Sequence, residues 1–304
     1  MTEHLVGREP VGFNSSIPSF RLRVIGSDRY YCLRENDCDK LLVSLAIKAL
    51  TSQDRQGVGM PRARRHFLPG YAWHITHRCH KQEFLLKFAR DRRHWMSWLL
   101  EARKRYGLSV LNYVATSNHI HLLVLDRATD AISRSMQLLS GRTAQSFNTR
   151  KKRKGAFWED RYHATAVETD FHLIRCLTYI DLNMVRAGVV AHPREWEFCG
   201  YAEIQAGPPK NSITDYHSLM ELLQIDSVNA LRESRRQWVD ENLAHGEQVR
   251  ESRWTESVAV GNKGFVETVK SKLGLRAKGR RVMGLESDFH LREPQGPFGT
   301  DNDA

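Results

Sequence analysis

Between Tyr71 and Gly188 the apolar residues change period repeatedly, and that alternation limits the folds open to the chain more than any other feature. Residues 71–76 alternate as a strand does. Residues 83–106 carry Phe84, Phe88, Trp95 and Leu99 at near-helical spacing, and Gly107 closes the run. Residues 108–115 and 119–125 are rich in strand formers, and Thr116-Ser117-Asn118 between them suits a hairpin turn. Residues 130–149 repeat the helical pattern through Ile132, Met136 and Leu139, ending in a basic run. Residues 163–168 read as a short strand, and Asp170 then caps a helix that ends at Gly188. Strand, helix, two strands, helix, strand, helix predicts an α+β domain with a mostly antiparallel sheet and helices on one face.

The flanks are less regular. Residues 1–59 hold one strand-like stretch, residues 20–25, and one short helical stretch, residues 41–50, and are expected to be a loosely folded extension. Met60, after Gly57-Val58-Gly59, is a candidate start of translation. The patterned domain then spans residues 60–205. Residues 206–292 form a helical, basic C-terminal extension, with amphipathic helix expected over 218–243 and around Phe265, Val266, Val269 and Leu273. Residues 293–304, rich in Pro, Gly and acid, are expected to be disordered.

Charge narrows the partners. The formal net charge is +11, with 46 Lys and Arg against 35 Asp and Glu, and such a surplus attracts polyanions. Five cysteines without a CxxC pair argue against a disulfide framework and for a reducing compartment. No apolar run reaches membrane-spanning length and no signal pattern opens the chain, so a soluble, cytoplasmic protein with no membrane partner is expected.

Chemistry concentrates in two motifs. In His119-Ile120-His121 the imidazoles lie two apart on a strand and therefore share a face. Such a pair can hold a divalent cation, and it also occurs as two ordinary surface histidines. Downstream, Leu173, Leu177, Ile180 and Met184 form a core-facing helical stripe. Beside it, Tyr179 and Asn183 stand one turn apart on one face. A tyrosine there can equally be an amphipathic rim residue. His74, His77, Cys79 and His80 also crowd together, but at no standard zinc spacing, and a solvated strand end is the expectation. Candidate phosphate contacts are Arg62, Arg64 and Arg65, then Arg92 and Arg93, then Lys151, Lys152, Arg153 and Lys154. The last run leads into Phe157-Trp158 and Arg161-Tyr162, and basic charge beside aromatics suits unstacked bases. The plainer alternatives are a solvated charged face for the basic runs and a core position for Trp158.

The strand Asn118-His119-Ile120-His121-Leu122-Leu123, the segment from Phe157 to Tyr162, and the run from Tyr179 through Asn183 to Gly188 occur in an order that resembles the single-tyrosine HUH transposases. Within these the resemblance is to the REP-associated tyrosine transposases, akin to the insertion-sequence-200 group, and it covers about residues 64–201. It implies a ferredoxin-like HUH domain. It implies His119 and His121 as metal ligands, Asn183 as the helix position completing the metal site, and Tyr179 as nucleophile. The implied cofactor is Mg²⁺ or Mn²⁺, with no nucleotide. The implied partner is single-stranded DNA with hairpins of palindromic repeats, and the resemblance leaves both homodimer and monomer open. Many relatives carry Pro after the motif Asn, where this chain has Met184, a change that lets the helix continue. The expected activity is cleavage and rejoining of single strands through a 5′-phosphotyrosine. Its alternatives are a catalytically idle hairpin-binding regulator on the same fold and a replication or transfer nickase. The nickase is disfavoured because no Gly-rich phosphate-cradling loop is present.

Overall fold

The computed structural model describes residues 19–23, 30–34, 67–246 and 249–293. The chain divides into two units, residues 1–64 and residues 65–304. In the first, strands β1 (Ser19–Arg23) and β2 (Tyr30–Arg34) pair antiparallel, with Phe20 opposite Leu33. The helix expected over residues 41–50 lies outside the described residues, as do Arg62, Arg64 and Arg65 and the tail beyond residue 293.

The second unit is a three-layer α/β/α arrangement around one sheet. Its strands are β3 (Ala72–Arg78), β4 (Ser109–Ala115), β5 (His119–Leu125), β6 (His163–Val167), β7 (Ala259–Gly261), β8 (Arg281–Leu285) and β9 (Asp288–Arg292). They lie in the order β4-β5-β3-β6-β7-β9-β8, antiparallel except for the β6–β7 pair. The class is the expected α+β with a mostly antiparallel sheet. The C-terminal extension differs from its helical expectation by adding three strands to the same sheet.

The strand alternation explains the layers. Ile120, Leu122 and Val124 of β5 point into one core, and Leu123 and Leu125 into the other. The first core is covered by α1 (Ala89–Tyr106) through Trp95 and Leu99, α2 (Ala131–Lys151) through Ile132 and Met136, and α9 (Lys263–Leu273) through Val266 and Val269. The second is covered by α3 (Phe171–Asp181), α5 (Gly200–Ala206), α6 (Tyr216–Leu223), α7 (Val228–Ala244) and α8 (Arg253–Glu256). Helices thus cover both faces rather than one, because these strands bury apolar side chains in both directions.

Two helix boundaries depart from the sequence expectation. Residues 83–88 precede α1 as irregular chain: Leu85 and Leu86 both turn inward, and Arg92 donates to the carbonyls of Leu86 and Lys87. The helix begun at Phe171 pauses at Leu182 before the short α4 (Asn183–Arg186), even though Met184 would permit a continuous helix. Gly188 ends α4 at φ +65°, a conformation that favours glycine.

Candidate active site

The site is built from one face of β3 and β5 and the α3–α4 junction above it. His121 lies opposite Thr76 in the β3–β5 ladder, which makes His74 its diagonal neighbour on the same face. The turn residues Thr116 and Asn118 fix the other histidine: Thr116 Oγ1 donates to the His119 carbonyl at 2.9 Å, and Asn118 Oδ1 lies 2.7 Å from His119 Nδ1. From the helical side, the Asn183 amide reaches down to both imidazoles. Its Nδ2 lies 3.1 Å from His121 Nε2 and 3.5 Å from His119 Nε2.

Tyr179 packs among these groups with only 5 % of its surface exposed. Its ring centroid is 5.9 Å from that of His121, 6.2 Å from that of His74 and 6.1 Å from that of Trp254. The Arg186 guanidinium lies 4.0 Å over the Tyr179 ring and donates to the Tyr179 carbonyl at 2.7 Å. Burial raises the Tyr179 phenol pKa, and the charges of Arg186 and Arg250 act in the opposite direction.

Burial also keeps the imidazoles neutral. It lowers His74 to about 3 and His119 to about 4, and holds His121 well below the usual histidine range, with nearby arginines pushing the same way. Neutral imidazole is the form that ligates metal. In this arrangement the Asn183 Nδ2 donates toward both nitrogens. With the amide turned to present Oδ1, the two imidazoles and that oxygen would hold a divalent cation loosely, since hard Mg²⁺ prefers more oxygen ligands and Mn²⁺ tolerates nitrogen. Among the described residues, no group of three or more His, Cys, Asp or Glu is arranged to hold a metal ion.

Trp254 and Arg186 were not candidates on sequence grounds, and His74 was weighed only within a crowded stretch at no standard zinc spacing. His74 carries a signal in its place on an alternating strand, but the signal becomes specific only once β3 is paired with β5. The expectation of a solvated strand end around His74 is overturned, since its exposure is 0 %. The other members of that crowded stretch go elsewhere. His77 stacks on Trp158 at 4.1 Å, and the Cys79 thiol is buried and pushed up to about 12.

The basic candidates separate into structural and surface groups. Arg92 is buried and stacks over Trp196 and Phe198, so it braces the fold instead of offering charge to a ligand. Arg93 pairs with Glu197. Lys151 at the end of α2 and Lys152 and Lys154 beyond it are exposed, whereas Arg153 donates to the Ala156 carbonyl and pairs with Glu83. Arg161 is exposed. Trp158 is half-buried, and its indole N–H donates to the Ser140 carbonyl at 3.1 Å. Lys151 Nζ lies 5.4 Å from the exposed Phe88 ring, and Phe84, four residues earlier, is exposed as well.

Residues 69–183, which carry both histidines, the tyrosine and the asparagine, match the family model described as IS200-like transposase. That segment belongs to the IS200-like transposase family. The IS200-like domain accordingly has a transposase-type role in DNA processing. Among solved structures, the chain is similar to a REP-associated tyrosine transposase bound to a REP hairpin. That match has 18 % identity and a TM-score of 0.41, covering 52 % of this chain and 95 % of the other. It is also similar to a candidate transposase from Deinococcus radiodurans, with 13 % identity, a TM-score of 0.29, and coverage of 42 % and 92 %. No curated protein matches the chain. Among the described residues, no helix is long and apolar enough to cross a membrane.

Proposed function

We propose that this protein is a metal-dependent endonuclease that cleaves and rejoins single-stranded DNA near hairpins through Tyr179. The observation that carries this reading is the Asn183 amide, set 3.1 and 3.5 Å from two neutral imidazoles with the Tyr179 ring beside them. A divalent ion held by the His119 and His121 Nε2 atoms and, once the amide turns, by Asn183 Oδ1 would polarise the scissile phosphate and offset its charge. The Tyr179 Oη–P bond forms as the P–O3′ bond breaks, leaving a 5′-phosphotyrosine and a free 3′-hydroxyl that takes up the phenol's proton. Attack by another 3′-hydroxyl reverses the step, so rejoining needs no nucleotide cofactor.

Lys151, Lys152 and Lys154 supply phosphate contacts in this reading, and Phe84 and Phe88 offer faces on which bases can stack. The test is incubation with Mn²⁺ and a hairpin-bearing oligonucleotide, followed by denaturing electrophoresis. Wild type should form a covalent protein–DNA adduct and Tyr179→Phe none. An adduct from Tyr179→Phe would refute the nucleophile. Hairpin binding by wild type with no adduct would favour the binding-only regulator.

A further inference from the structure

We infer that His74, outside the His119–His121 pair, fixes the tautomer of His121, and that a main-chain carbonyl of the C-terminal extension fixes His74 in turn. The inference deepens the metal-dependent reading and rests on it for its purpose, although its first observable does not.

The peptide carbonyl of Trp254 can only accept, so His74 Nδ1, 2.9 Å away, carries a proton. A fully buried, neutral His74 then keeps a lone pair on Nε2. His121 Nδ1 lies 2.8 Å from that lone pair and must donate to it. The proton of neutral His121 is thereby committed to Nδ1, and its Nε2 presents a lone pair to Asn183. The ring planes lie 13° apart with centroids 5.0 Å apart, the nearly coplanar, edge-to-edge placement that an in-plane N–H···N bond requires.

His119 reaches the same state by a shorter route. The Asn118 amide donates to the Gln82 carbonyl at 3.3 Å, which turns its Oδ1 toward His119 Nδ1 at 2.7 Å. His119 Nδ1 therefore holds the proton, and both Nε2 lone pairs face one amide. An outer hydrogen-bond partner of this kind orients a ligating imidazole and sets its tautomer. For His121 the chain of bonds ends at Trp254, beyond the residues 69–183 that match the transposase family. The extension thus completes the centre. Thr165 Oγ1, which donates to the Ser257 carbonyl at 2.6 Å, fastens the same segment and lies 3.2 Å from the Trp254 carbonyl.

The experiment records ¹⁵N–¹H imidazole spectra of the metal-free full-length chain and measures Mn²⁺ affinity by the electron spin resonance of free Mn²⁺. Wild type, His74→Phe and His74→Gln are compared. Wild type should show His121 protonated on Nδ1. His74→Phe, which has no acceptor, should release His121 toward the Nε2–H form and weaken Mn²⁺ binding about 10- to 100-fold. His74→Gln, whose side-chain carbonyl can accept the same proton, should keep the wild-type tautomer and recover most of the affinity. An Nε2–H form of His121 in wild type overturns the inference. So does a His74→Phe protein unchanged in tautomer and affinity, or a His74→Gln protein that shares the losses of His74→Phe. If His74→Phe fails to fold, the wild-type tautomer and the His74→Gln comparison still decide. Wild type with the Nδ1–H form but no Mn²⁺ binding would refute the metal-dependent reading and leave the tautomer chain standing.

Discussion

Leaving a phenylalanine ring in water instead of burying it forgoes about 2 kcal/mol, and two such rings sit beside the candidate DNA path. Phe84 is 65 % exposed and Phe88 56 %. Their segment is fastened to the turn preceding His119, because Leu86 N–H donates to the Ser117 carbonyl at 2.9 Å. Replacing both rings by alanine should therefore weaken binding of a single-stranded oligonucleotide roughly tenfold or more, at about 1–3 kcal/mol per stacked base. Fluorescence anisotropy would measure it, and unchanged affinity would remove these rings from the path. That His119 and His121 share one face, and Tyr179 and Asn183 another, was legible in sequence because i, i+2 on a strand and i, i+4 on a helix are local geometries. The meeting of the two pairs was expected only from the family resemblance. The place of His74 was not legible, since its relation to His121 exists only through pairing of β3 with β5. Trp254 contributes a backbone carbonyl, which no side-chain pattern announces.

At the scale of elements, α3 is held by polar contacts at both flanks. Near its C-terminal end, Asp181 is buried between Asn112, at 2.8 Å, and Arg235 of α7. Gly200, at the start of α5, packs against that same Asn112. A Cβ on Gly200 would stand 2.3 Å from Asn112 Oδ1. Gly200→Ala should thus destabilise the protein by roughly 1–3 kcal/mol through overpacking, read from urea unfolding. A neutral result would mean that Asn112 can move without cost. On its other flank, Arg175 of α3 and Arg253 of α8 both bond Asp288 of β9. Burial alone would raise the Asp288 carboxyl, but the two arginines outweigh it and hold it below the usual range. A depressed carboxylate contributes stability that is present above its unfolded pKa and lost as pH falls through its folded one. Because these side chains are part-exposed, Asp288→Asn should cost only about 1 kcal/mol at pH 7. The difference from wild type should vanish in acid below the carboxylate range, and a pH-independent difference would point to packing instead.

At the scale of the molecule, the second unit depends on its C-terminal extension for sheet and core alike. Trp254, Val260, Val266 and Leu291 are fully buried, and β7 covers the edge of β6. A chain ending at residue 246 would lose β7, β8 and β9 with α8 and α9, and should bind a hydrophobic dye and lose its sharp melting transition. Near-UV circular dichroism and a thermal melt would check this, and a cooperative melt in the shortened chain would show the extension to be dispensable. The alternating pattern of residues 71–125 made the central sheet readable from sequence. The three-residue β7 is too short to show a period, and its partner β6 is fixed only by tertiary packing. Asp288-Phe289-His290-Leu291-Arg292 forms β9, within the stretch that the sequence led one to expect as a helical extension.

The bond between His74 and Trp254 also joins residues 180 positions apart. During synthesis the tyrosine, both histidines and the asparagine leave the ribosome well before Trp254 does. Contacts that span so much chain form late and slowly. A nascent protein therefore carries His74, His119, His121, Tyr179 and Asn183 before it carries the Trp254 carbonyl that His74 bonds, and the C-terminal extension sets when the candidate centre can be finished.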